Sequence, residues 1–146
     1  MGLCYTDPLV ECLHGLHLAL ATDHTHGESL WAQDVFTALG QVATVVQDEV
    51  HEAEQTLDAV AELNPDFQNM AGTERHVHES RKRLIELAEQ IHQLRADIRN
   101  GLATATLGLP AWQKRSLEIC VAIENLHHQD TKFVLDTLNT NPGAGE

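Results

Sequence analysis

Apolar side chains recur at every third or fourth position along four stretches of this chain, and nowhere do they alternate with period two. The first stretch opens at Asp7-Pro8, an N-cap followed by proline at the first helical position. It predicts a helix over 8–21 with Leu9, Leu13, Leu16 and Leu20 on one face. Thr22 to Glu28 is polar, contains Gly27 and reads as a loop. Ser29 then opens a long second helix, 29–63, whose line is Val35, Leu39, Val42, Val46, Val50, Ala53, Leu57 and Val60. Gly40 lies within it as a mild weakness rather than a break.

Asn64-Pro65 repeats the cap-plus-proline signal, so a third helix is expected over 65–100. Its apolar face is Met70, Val77, Leu84, Leu87, Ala88, Ile91, Leu94 and Ile98, and Asn100-Gly101 reads as its end. After a loop of small residues, Pro110 opens a fourth helix over 110–139. The inward line assigned to it is Leu117, Val121, Glu124, His127 or His128, Thr131, Leu135 and Leu138, and 140–146 reads as a loose tail. Four amphipathic helices on short-to-moderate loops predict an all-α fold: one antiparallel up-down four-helix bundle spanning residues 1–146.

Length and composition suit that reading. A chain of 146 residues buries a core without disulfide or metal staples. Its net charge of −13, from 22 acidic against 9 basic residues, disfavours nucleic acid and anionic membrane surfaces. The basic run Arg81-Lys82-Arg83 sits within a helical pattern as a solvated face. Cys4, Cys12 and Cys120 are odd in number and lack CxxC spacing, which suits reduced thiols and a cytoplasmic protein. No basic leader or long apolar run is present, so neither a signal peptide nor a membrane span is expected.

Histidine changes the picture. There are 10, most in close pairs: His14/His17, His24/His26, His76/His78 and His127/His128, with His51 and His92 alone. Imidazole is the commonest metal ligand, and bundles build ligand sites from side chains on facing helices. His51 with Glu54, and His127 with Asp130, are i,i+3 pairs that offer one nitrogen and one oxygen from the same helix face. Glu124, on the assigned inward line, would be a buried carboxylate needing a partner. His24 and His26 fall in a polar loop, and His92 reads as surface. No Gly-rich phosphate loop, nucleophile elbow or zinc-finger spacing competes, and no acid–base pair argues for an enzyme.

The order His14 or His17, His51, His76 or His78, His127 resembles the hemerythrin-like (HHE cation-binding) family, as does the stretch from His127 to Asn139. The resemblance covers nearly the whole chain. It implies a four-helix bundle binding non-haem iron, one or two ions, through His14 or His17, His51, Glu54, His76, His127 and Asp130. The function it implies is O₂ or redox sensing, or the handling of oxygen, iron or a small oxidant. Gln55 and Thr131 stand four residues after His51 and His127, where the family places bridging carboxylates, and His51 lies off its helix's apolar line. Those departures motivate a second reading, a metal-free hemerythrin-derived structural or interaction module, with a homodimer left open. A third, a ferritin-like di-iron carboxylate bundle, would use Asp48, His51, Glu124 and His127.

Overall fold

The computed structural model describes residues 7–22, 27–62 and 70–139. It is a bundle of four helices, α1 (Pro8–Ala21), α2 (Glu28–Ala61), α3 (Met70–Thr104) and α4 (Leu109–Asn139), with no strand among the described residues. The helices pack in a ring, α1 on α2 and α4, and α3 on α2 and α4. The expected Asn64-Pro65 cap, the loop histidines His24 and His26, Cys4 and the tail lie outside the described residues.

Three of the four helices turn inward the faces their spacing predicts, fully buried over all or part of each line. On α1 these are Leu9, Leu13, Leu16 and Leu20, and the Asp7 side chain caps the helix by accepting from the Leu9 N–H at 2.9 Å. On α2, Val35, Leu39, Val42 and Val46 are buried, and on α3, Leu84, Leu87, Ala88, Ile91, Leu94 and Ile98. Val50, Ala53, Leu57 and Val60 on α2 and Val77 on α3 are only half-buried. Trp31 closes the α1–α2 corner, its indole N–H donating to the Leu20 carbonyl at 3.4 Å. Arg95 crosses from α3 over α2, its guanidinium 4.0 Å above the Phe36 ring and its Nε donating to the Phe36 carbonyl at 3.2 Å. Gly40 makes room for it, since a Cβ there would stand 2.8 Å from the guanidinium.

The fourth helix turns a different face inward from the one its sequence suggests. Trp112, Ser116, Ile119, Cys120, Ile123 and Leu126 are buried, whereas Leu117, Val121 and Leu135 are about half exposed. Glu124, His128 and Thr131 share that outer side and are exposed, so Glu124 is not a buried carboxylate. The helix carries two apolar stripes, and the longer, Trp-anchored one wins the core. Its anchor explains a second difference. Gly101 does not end α3 but lies buried within it, against the Trp112 indole, where a Cβ would meet the ring at 2.5 Å. The helix runs on to Thr104, and Ala105 takes the left-handed conformation (φ 56°) as the Thr106 N–H returns to the Gly101 carbonyl at 2.9 Å. That six-to-one bond is a Schellman ending with alanine where glycine is usual.

Candidate functional site

The 14-residue α1 is much shorter than its 34-, 35- and 31-residue neighbours. At ~1.5 Å of rise per residue it covers roughly 21 Å of helices that run ~46–52 Å. Beyond its N-terminus α2, α3 and α4 continue without it, and most of the expected ligands fall at this end.

Two clefts, of about 370 and 290 Å³, lie side by side here and share a wall of Glu49, Leu84, Asp130 and Val134. The first is rimmed by Asp7 from the α1 cap and by His127; the second by Glu52, His76 and Ser80. His76 Nε2 stands 3.0 Å from Asp130 Oδ1, and the Ser80 hydroxyl donates to the same oxygen at 3.2 Å. The imidazole lies flat on Phe133, centroids 4.0 Å apart and planes within 2°. This stacking fixes the ring so that Nε2 faces the carboxylate. His127 Nδ1 stands 3.3 Å from Asp7 Oδ2, so a single aspartate both caps α1 and ties it to α4.

Glu49, half-buried on α2, is the electrostatic centre of this end. Its carboxyl is pushed up to about 7, first by burial, then by Glu52, and further by Asp7 and Asp130. Carboxylates from the α1 cap, α2 and α4 thus bear on Glu49. Arg81, on α3 at this end, is engaged by Glu54, to which it donates through Nη2 at 2.8 Å and Nε at 3.2 Å.

Of the seven side chains expected as ligands, His76 and Asp130 are brought into contact, and His127 lines the same cleft as Asp130. Glu54 lies close by but is held by Arg81. His14 and His17 are both exposed on α1. His51 is exposed and meets Gln55, its own-helix neighbour, at 3.2 Å. Among the described residues, no group of three or more His, Cys, Asp or Glu side chains is arranged to hold a metal ion. The sequence reading missed Asp7, Glu49 and Glu52. Glu49 had a signal, because it continues the three-four spacing of Val42 and Val46 toward Ala53 and so places a carboxylate on an inward line.

No helix of the described residues is long and apolar enough to cross a membrane. The chain matches no family model, no curated protein and no solved structure.

Proposed function

We propose that this chain is a divergent, antiparallel hemerythrin-like bundle that binds a redox-active cation, iron first among them, at the end that α1 leaves uncovered. The observation that carries this reading is the half-buried Glu49, with Asp7, Glu52 and Asp130 around it and His76 and His127 on the same two clefts. Like charges held together by a fold favour whatever neutralises them, either a proton or a cation. Mixed imidazole and carboxylate donors suit Fe(II), and also Zn(II) and Mn(II). The donor chemistry therefore fits. The arrangement offers pairs rather than a triad, so an ion taking His76 and Asp130 would have to open the contact between them. By family resemblance the role would be O₂ or redox sensing, or the handling of oxygen or iron.

The test is metal content of protein purified without chelator, together with its melting temperature on anaerobic Fe(II) addition. Bound iron and a rise in melting temperature that Glu49→Gln and Asp130→Asn each abolish are expected. Iron-free protein whose melting is unmoved by Fe(II) would sink the reading.

A second reading draws on a different observation. Glu54, His76, His127 and Asp130 each already meet at least one partner from elsewhere in the fold: Arg81 for Glu54, Asp130 and Phe133 for His76, Asp7 for His127, and His76 and Ser80 for Asp130. In a metal-free structural module these pairs would serve as tethers between helices. The same titration separates the two readings, because tethers predict no response to Fe(II) and a lower melting temperature for His76→Leu.

A further inference from the structure

The stripe of α4 that lost the competition for the core is left facing outward. Leu117 is 44% exposed and Val121 53%, and together with Pro110 they form an apolar line along the helix. A shallow groove of about 570 Å³ runs along this face, edged by Lys114 and Glu118. The charge around it is milder than the chain's average. Residues 110–121 carry Lys114, Arg115 and Glu118, in a protein with 22 acidic and 9 basic residues overall.

We propose that this outer face of α4 is a self-association surface, on which a second copy of the chain packs its own α4 in the opposite direction about a two-fold axis. The pairing is self-complementary. Lys114 and Glu118 lie on the same edge, four residues or about 6 Å apart along the axis. A two-fold axis crossing midway between them, one residue from Leu117, brings Lys114 of each copy opposite Glu118 of the other. Leu117 of the two copies then meet across the axis, and Val121 of each copy lies opposite Pro110 of the other. Two molecules of net charge −13 repel where their acidic surfaces meet, and this near-neutral, apolar segment lets them approach without that cost. One helix face falls short of the roughly 800 Å² per partner of a standard interface, so the dimer is weak and forms only at high protein concentration. The inference does not depend on the cation reading.

Sedimentation equilibrium of the full chain, from about 10 μM to 1 mM, tests it. A monomer–dimer equilibrium is expected, which Leu117→Gln with Val121→Gln shifts to monomer while helical content and melting temperature stay put. Lys114→Glu and Glu118→Lys should each weaken association by about tenfold, through two like-charge contacts per interface. Mixing the two charge variants in equal amounts should restore the dimer, because each then offers the other an opposite charge. A wild type that stays monomeric, its face being reserved for some other partner, would overturn the proposal. So would a dimer indifferent to the Gln variant or to charge reversal, or a mixture that fails to recover it.

Discussion

Glu49 shows how one side chain on an otherwise apolar line sets the electrostatics of a whole end of the bundle. Its unperturbed carboxyl titrates near 4.5, and in the fold it titrates at about 7 because burial and three neighbouring carboxylates oppose its charge. At acidic pH below the unfolded value the proton is bound in both states and the group is neutral to stability. Between the two values the folded chain holds a proton that the unfolded chain has released, so raising the pH costs stability across that window. Above about 7 the loss is complete. Glu49→Gln removes the penalty, so the chelator-treated variant should match wild type at about pH 3.5, below the unfolded value, and exceed it at about pH 8. The gain expected is about 1 kcal/mol, since partial exposure softens the electrostatic cost. Chemical denaturation on either side of the window, below 4.5 and above about 7, checks this, and a constant difference between the proteins would count against it.

The junction of α3 and α4 is where single elements were least legible. Periodicity located all four helices and the faces of the first three, because each of those carries a single apolar stripe. On α4 two stripes compete, and choosing between them requires knowing that Trp112 docks on Gly101, a contact between helices that spacing along one cannot reveal. The error passed to the site: on the assumed face Glu124 pointed inward, whereas the inward carboxylate is Glu49, in register with Val42 and Val46. The histidine–carboxylate spacings were legible within a helix, but their partners lie on other helices: Asp130 for His76 and Asp7 for His127. The same junction supplies a paired forecast. Gly101→Ala forces a methyl against both the indole and the Thr106 carbonyl, 2.6 Å away, and should destabilise the fold by about 1–3 kcal/mol. Ala105→Gly relieves a left-handed alanine and should stabilise it by about 1 kcal/mol. Urea melts of the two variants should move in opposite directions, and a shift of both the same way would refute the Schellman assignment.

At the scale of the molecule, the bundle is two structures in series. The four-helix part holds every fully buried side chain among the described residues: 31–46 on α2, 84–98 on α3 and 112–126 on α4, with α1 alongside. Beyond it, residues 47–62, 72–83 and 127–136 contain none, and α2 with its cap contributes Asp48, Glu49, Glu52, Glu54, Asp58 and Glu62 without a lysine or arginine. Little apolar area is removed from water there, and like charges push the helices apart, so this end should open while the core stays closed. Native-state hydrogen exchange should therefore show two tiers. Amides of Val35–Val46 and Leu84–Ile98 should exchange only through global unfolding, and those of 50–61 and 74–82 through an opening several kcal/mol cheaper, roughly half the global value. Added salt should narrow the gap by screening the acidic end. Fe(II) or Mn(II) at concentrations too low to screen should narrow it only if the ion binds among Glu49, His76, His127 and Asp130. Equal protection of both tiers in dilute buffer would show that the short α1 does not divide the bundle. Two tiers unmoved by the divalent ion but narrowed by salt would keep the division and discard the cation.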